Sequence, residues 1–111
     1  MSGVEPQNFF DITQLEGLRT KSGKPYLEFL RVSSLSAGVY VLAAGSTDTQ
    51  KPHREDEMYY VVRGRARMRI AGEDQPVAAG SIIFVAANVP HSFYEIVEEL
   101  VVVVFFAPAE S

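Results

Sequence analysis

The 111-residue sequence contains no cysteine and no tryptophan, and it has only two histidines. Without cysteine the chain forms no disulfide and no zinc site of the thiolate type. This absence fits a reducing compartment. No charged segment followed by an apolar run opens the chain, so we expect a cytoplasmic protein rather than a secreted one.

The sequence also lacks an excess of positive charge. Ten lysines and arginines stand against fourteen acidic residues, for a formal net charge of −4. Nucleic-acid partners are therefore not expected, because phosphate binding needs a basic surface. Arginine does occupy every second position in residues 63–69. That alternation predicts the solvent face of a half-exposed strand; an anion-binding stripe is the alternative interpretation.

Long hydrophobic runs are missing as well. The longest, residues 100–107, is far too short to cross a bilayer, so no membrane association is expected. It predicts a strand that is buried on both faces or covered by a partner. Chain length and composition indicate one globular domain over residues 1–111.

Strand signals dominate what is present. Alternating or β-branched segments between turn residues predict strands at 26–32, 39–43, 58–62, 65–70, 75–79, 81–85, 91–97 and 99–106. We expect 65–70 to pair with 75–79 across a turn at 71–74, and Gly64 to mark a turn or bulge. Helix signals are weak, with a single turn predicted at residues 11–16 and Asp11 as its cap. The pattern predicts an all-β sandwich or barrel.

Both histidines belong to spaced signatures that also carry acidic residues. The first signature consists of Gly45, Lys51, His53, Glu57 and Gly64, and the second of Gly80, His91 and Glu95. Residues two apart on a strand point the same way, so His53, Glu57 and His91 can converge inside a barrel. Imidazole and carboxylate together suit divalent zinc, iron, manganese, nickel or copper. The competing interpretation for His53 is a solvated charged loop.

The two signatures resemble the two motifs of the cupin superfamily, and residues 65–79 resemble the short hairpin between them in small microbial cupins. Motif 1 covers residues 45–64 and motif 2 covers residues 80–95. The resemblance implies a jelly-roll β-barrel, commonly dimeric, that holds a divalent metal ion through three histidines and a glutamate. His53, Glu57 and His91 match three of those four positions.

Lys51 occupies the remaining position, where the family has its first histidine. Three interpretations follow. In the first, His53, Glu57 and His91 form a two-histidine, one-carboxylate triad with open positions. In the second, Glu55 or Glu95 completes a four-ligand site. In the third, the metal is lost, and Lys51 pairs with Glu55 or Glu57 in a pocket for an anionic ligand. Ala86, Asn88 and Glu95 also replace the proline, glycine and asparagine that are usual in motif 2.

The resemblance therefore predicts a small protein that binds a divalent metal ion (iron, manganese, nickel or zinc) and a small organic molecule. It is either a metal-dependent enzyme of the oxygenase or isomerase type, or a non-catalytic module, metal-dependent or metal-free, for a sugar-like or anionic ligand. A degenerate barrel kept only for dimer formation is the third possibility. If it is an enzyme, Glu95 or Glu55 is the predicted base, and Lys51 would hold a substrate carboxylate or oxyanion. A homodimer is predicted, both from the family and to cover residues 100–106.

Overall fold

The computed structural model describes residues 7–111, and they form one helix and six strands. The elements are α1 (Ile12–Ser22), β1 (Tyr26–Val32), β2 (Leu35–Leu42), β3 (Asp56–Ile70), β4 (Glu73–Ala78), β5 (Ile82–Val85) and β6 (His91–Ala107). The all-β prediction is confirmed, although six strands replace the eight predicted. No helix within residues 7–111 is long and apolar enough to cross a membrane.

The antiparallel sheet is built on its two longest strands. β3 and β6 pair along nearly their whole length, from Asp56 opposite Ala107 to Ile70 opposite His91. The strand order is β1-β2-β6-β3-β4, and β5 adds to the first part of β3. Side chains alternate along β3, so that Tyr59 and Val61 are fully buried in the main core.

A bulge at Gly64 explains why two predicted strands are one. The β3–β6 register shifts around this residue, whose φ is +100°. A Cβ atom here would lie 2.2 Å from the carbonyl oxygen of Glu99, so only glycine lets the strands approach so closely. The chain bends at this point without leaving the ladder. The predicted strands 58–62 and 65–70 therefore join into β3, and 91–97 and 99–106 into β6.

The predicted β3–β4 hairpin is confirmed with a shorter turn. Arg65 lies opposite Ala78, and Ile70 lies opposite Glu73, which leaves only Ala71 and Gly72 between the strands. Ala71 has a φ of +53°, a conformation that tight two-residue hairpin turns require. Strand β4 therefore begins two residues earlier than predicted.

Helix α1 extends well beyond the single turn predicted. Asp11 caps it as expected, accepting hydrogen bonds from the backbone N–H groups of Thr13 and Gln14. Leu15 is the one buried residue of the helix, and it packs with Val39 and Val101 on the outer face of β2 and β6. Because Leu15 alone is buried, the helix has no broad apolar stripe. The spacing of its apolar residues therefore did not predict its length.

Candidate metal centre

Three side chains that could hold one metal ion meet at the end of the barrel where β3 begins. His53 lies in the loop before β3, Glu57 is the second residue of β3, and His91 is the first residue of β6. One ligand atom from each lies within 4.8 Å of the others. We call these residues the His53 cluster.

Glu57 and His91 are buried and incompletely partnered. They are 2% and 7% exposed. The Nε2 atom of His91 lies 3.0 Å from Oε1 of Glu57, close enough for an ion pair. This contact does not have hydrogen-bond geometry, and neither Glu57 oxygen nor His91 Nε2 has a hydrogen-bond partner among the described residues. A buried carboxylate in this state is costly unless a cation compensates it.

The orientation of His91 leaves its Nε2 atom available. Its Nδ1 atom lies 2.9 Å from the carbonyl oxygen of Val89, which only accepts, so Nδ1 carries the donating hydrogen. Burial lowers the pKa of His91, but Glu57 and the Val89 carbonyl outweigh burial, and the pKa is raised overall. Either a proton or a metal ion between Nε2 and the carboxylate would relieve the contact.

His53 is held from several sides although it lies in a loop. Its Nδ1 atom is 3.1 Å from a carboxylate oxygen of Glu110. Its ring packs edge-on against Phe106 with centroids 4.8 Å apart, and its backbone carbonyl accepts from the N–H of Asn88 at 2.7 Å. A carboxylate on one nitrogen of a histidine is the usual way to aim the other nitrogen at a metal ion.

Glu110 lies beside His53 because hydrogen bonds hold the segment after β6, residues 108–111, against the rest of the chain. The backbone N–H of Glu110 donates to Oγ of Ser36 at 2.9 Å, and its carbonyl accepts from Arg31 at 2.7 Å. The next residue, Ser111, donates to the carboxylate of Glu55 through its backbone N–H at 3.1 Å. Burial is the main reason that the pKa of Glu110 is raised.

A cavity of about 210 Å³ adjoins the cluster. It is lined by Tyr26, Tyr40, Gln50, His53, Glu57, Val104, Phe106 and Glu110. None of these is a lysine or an arginine. Burial raises the pKa of both lining tyrosines, so they remain hydroxyl donors at neutral pH. The hydroxyl of Tyr26 is buried with no protein partner among the described residues.

Comparison with known proteins decides the family. The model of the cupin domain family matches residues 38–107, which is more than half of the chain. The chain belongs to the cupin family. This cupin is 47% identical over 102 residues to the "Uncharacterized protein SCO3923" of Streptomyces coelicolor, covering 92% of this chain and 97% of that one.

Solved structures show the same fold at lower identity. TT1209 from Thermus thermophilus superposes with a TM-score of 0.72 at 22% identity, covering 93% of this cupin and 99% of that chain. DMSP lyase DddQ from Ruegeria pomeroyi DSS-3 gives a TM-score of 0.65 at 22% identity over 68% of this cupin. This cupin spans only 39% of the length of DddQ. At these identities the likeness concerns the fold alone.

Three residues predicted to take part lie outside the cavity of this cupin. Lys51 is exposed, and the structure shows no ion pair from it to Glu55 or Glu57 within the described part of the chain. Glu55 is buried, but its carboxylate binds Ser111 rather than the cluster. The expected alternation fails here because β3 begins only at Asp56, so residues 51–55 follow the path of a loop.

Glu95 lies on a different surface. It is exposed, and it borders a groove with Arg65 and Arg67 rather than the cavity. Its φ of +47° interrupts the alternation of β6, so the shared parity with His91 does not place both side chains on one face. Its predicted role as a base does not fit this position.

The sequence analysis missed five polar residues of the site: Tyr26, Tyr40, Asp48, Gln50 and Glu110. Tyr26 crosses Gly38, where a Cβ atom would lie 2.3 Å from its ring. Asp48, 8% exposed, accepts from the hydroxyl of Tyr40 at 3.1 Å and from the backbone N–H of Phe93 at 2.9 Å. Only the polar loop before His53 hinted at Asp48 and Gln50, and nothing local pointed to Glu110.

Proposed function

We propose that this cupin binds one divalent transition-metal ion through His53, Glu57 and His91 and uses it to bind or transform a small organic molecule. One observation carries the proposal: within residues 7–111, both Glu57 oxygens and His91 Nε2 are buried without hydrogen-bond partners, and they converge on one point with His53. Two imidazoles and one carboxylate form the ligand set of open metal sites with positions left for a substrate.

The donor set is suited to iron, manganese, nickel or zinc. Such an ion would supply Lewis-acid chemistry, or oxygen-dependent chemistry in the case of iron. The chain's own contribution is to fix the ligands: Val89 orients His91, and Glu110 orients His53. Outer partners of this kind typically change metal affinity by about 10–100-fold.

The cavity favours a small ligand with oxygen functions. Its volume of about 210 Å³ lies below the roughly 300–1,000 Å³ of sites for drug-sized molecules. Tyr26 offers a hydroxyl donor, since the hydroxyl of Tyr40 already donates to Asp48, and Val104 and Phe106 offer an apolar wall. Because the lining has no lysine or arginine and His53 is assigned to the metal ion, a ligand carboxylate would bind through that ion. The leading activity is that of a metal-dependent enzyme of the oxygenase or isomerase type.

A non-catalytic binding module is the second candidate. The observation that favours it is the placement of Lys51 and Glu95, both exposed and outside the cavity. With Glu57 assigned to the metal ion, Glu110 is the one remaining carboxylate of the lining, and it already contacts His53. Ligand affinity lost in His91→Ala, with no turnover in the wild type, would support this candidate.

Metal content is the first measurement. Elemental mass spectrometry would compare the untagged wild type with His53→Ala and with the surface control Glu95→Ala. We expect about one transition-metal ion per chain in the wild type and the control, and much less in His53→Ala. A wild type that binds none of iron, manganese, nickel or zinc after reconstitution would refute the metal proposal. A metal-free pocket would then be the alternative.

We also propose a homodimer, through a surface that shares only Phe105 with the predicted segment 100–106. Residues 100–104 are mostly buried within their own chain, because β2, β3 and α1 surround them. Among residues 7–111, five of the exposed apolar side chains lie on the outer face of β5 and its neighbours. They are Met58, Tyr60, Ile82, Phe84 and Phe105, between 38% and 68% exposed. Met58 is opposite both Phe84 and Phe105, so these side chains form one patch.

Light scattering tests the dimer. Phe84→Glu should convert a dimeric wild type to a monomer, whereas Phe9→Glu, at an exposed phenylalanine outside the patch, should leave it dimeric. A wild type that is monomeric at micromolar concentration would disprove the proposal.

A further inference from the structure

Gln50 lines the cavity, although the motif assigns the first metal-ligand position to the next residue, Lys51. Gln50 is half-buried and lines the cavity, whereas Lys51 is exposed. We propose that the side-chain oxygen of Gln50 is the fourth protein ligand of the metal centre. This inference rests on the proposed function, since it completes the site formed by the His53 cluster.

The amide of Gln50 is fixed in one orientation. Its nitrogen donates to a carboxylate oxygen of Asp48 at 2.8 Å, and its oxygen accepts from the hydroxyl of Tyr59 at 3.1 Å. Tyr59 is fully buried and Asp48 nearly so. Because a carboxylate cannot donate, the amide nitrogen must face Asp48 and the oxygen must face the cavity. The oxygen therefore has one lone pair engaged by Tyr59 and a second one directed at Nε2 of His53.

This second lone pair of the Gln50 oxygen faces the His53 cluster. The oxygen of Gln50 lies 3.2 Å from Nε2 of His53. The other nitrogen of His53 already contacts the carboxylate of Glu110. A neutral imidazole that donates to Glu110 presents a lone pair to the oxygen of Gln50, which is unfavourable. Either a proton on Nε2 or a metal ion bound between these two atoms removes the conflict, and the convergence of Glu57 and His91 on the same cluster favours the metal ion.

The spacing matches that of ligands around one ion. Metal–nitrogen and metal–oxygen bonds of about 2.0–2.2 Å place neighbouring ligands at right angles roughly 3 Å apart. The Gln50–His53 pair is separated by 3.2 Å and the Glu57–His91 pair by 3.0 Å. Each pair thus has the dimensions of an edge of a coordination polyhedron, and His53 belongs both to the first pair and to the cluster that holds the second. An amide oxygen is neutral, so the fourth ligand adds no charge to a site that already buries a carboxylate.

Adjacent substitutions provide a matched test. Affinities for Zn²⁺ and Co²⁺ would be measured by chelator competition in wild type, Gln50→Ala and Lys51→Ala, together with the visible absorption of the Co²⁺ protein. Gln50→Ala should weaken binding by about 10–100-fold or more and change the Co²⁺ spectrum. Lys51→Ala should leave both unchanged, because its side chain is in solvent. Equal affinities and spectra in wild type and Gln50→Ala would overturn the proposal.

A second variant separates ligation from loop support. Gln50→Glu keeps an oxygen donor but places a carboxylate against Asp48. If Gln50 only supports the loop, this repulsion should weaken metal binding as Gln50→Ala does. If Gln50 is a ligand, Gln50→Glu should bind metal at least ten times more tightly than Gln50→Ala. Similar weak binding by both variants would contradict the proposal.

A measurement on the wild type keeps the test independent of how the variants fold. Addition of Zn²⁺ should shift the side-chain carbonyl NMR resonance of Gln50 far more than those of Gln14 and Gln75, two glutamines outside the cavity. An unmoved Gln50 resonance in a protein that binds Zn²⁺ would exclude this ligand while leaving the three-residue site intact. Failure of the wild type to bind any ion would instead refute the proposed function.

Discussion

Two groups of charged side chains lie on or beside the long strands β3 and β6, and they differ in burial and in hydrogen bonding. The His53 cluster is at the start of β3, and its buried members Glu57 and His91 have oxygens and a nitrogen without hydrogen-bond partners among residues 7–111. The second group, which we call the Arg67 network, lies farther along β3 and on its neighbours, near the surface. It consists of Arg67, Arg69, Asp74 and Tyr94.

The Arg67 network is internally satisfied. Arg67 lies 3.1 Å from both Asp74 and the hydroxyl of Tyr94, and Tyr94 donates to Asp74. Arg69 pairs with Asp74 at 3.3 Å and lies over the ring of Tyr94. No ligand is needed to explain such a group. Charged residues in a pattern indicate a functional site only where burial leaves them unpaired, and that condition separates the two groups.

The arginine alternation in β3 belongs with the satisfied group. Its predicted solvent orientation is confirmed, since Ala66 and Met68 between the arginines are buried. Arg63 bonds to Glu16 of α1 at 2.6 Å, and Arg65 to Glu98 at 3.2 Å. Each arginine of the stripe therefore has an acidic neighbour, which accounts for the pattern without an anion as ligand.

The largest expected effect comes from removing one carboxylate of each group. Glu57→Ala should reduce metal affinity by at least about 100-fold, because a buried ligand is lost outright. Asp74→Ala should leave affinity unchanged. Chelator competition on both variants measures the difference. A similar loss in both would mean that the comparison between the groups is wrong.

Substitutions in the His53 cluster that abolish metal binding should not lower the free energy of unfolding of the metal-free protein. Replacing Glu57 and His91 together by leucine removes a buried pair in which both Glu57 oxygens and His91 Nε2 lack hydrogen-bond partners among residues 7–111. Such replacements are often neutral or stabilising by about 1–4 kcal/mol. We expect the double variant to match or exceed metal-free wild type in urea unfolding, and to gain nothing from added metal. A clear loss of stability would show that the pair is structural.

The two groups should also respond to pH with opposite signs. The raised pKa of His91 contributes stability that is complete below its unfolded pKa of about 6.5 and is lost as pH rises through the folded pKa. Hydrogen bonding by Tyr94, followed by Arg67, lowers the pKa of Asp74. That contribution is complete above about pH 3.9 and is lost as pH falls.

Urea midpoints of metal-free protein between pH 3 and pH 9 measure both trends. His91→Ala should flatten the neutral-to-alkaline decline, and Asp74→Asn should flatten the acid decline. Each variant should leave the other limb of the profile in place. If either substitution altered both limbs, the groups would not be energetically separate.

The smallest expected effect is that of Tyr94→Phe. The hydroxyl is near the surface, and Asp74 retains its arginine partners after it is lost. We expect unchanged metal affinity and only a slight decrease in the urea midpoint, because exposed interactions contribute little. A fall in metal affinity would link the two groups through β6, on which Tyr94 and His91 both lie.

Much of the fold follows from local patterns. Alternation predicted the extent of β1 and the pairing of β3 with β4, because side-chain direction in a strand depends only on neighbouring residues. Strand boundaries at Gly64 and near Glu98 were wrong for one shared reason. A β-bulge and the end of a strand give similar sequence signals, and only the pairing with the partner strand distinguishes them.

The sequence alone determined that this is a β protein of the cupin family and that His53, Glu57 and His91 are candidates for one site, because residue type and spacing encode both. Only the tertiary structure decided that Gln50 rather than Lys51 faces the cavity, since a loop has no fixed periodicity to reveal its inward side. It also placed Glu110 on His53. That contact depends on where β6 ends beside β2, a long-range pairing that no local pattern specifies.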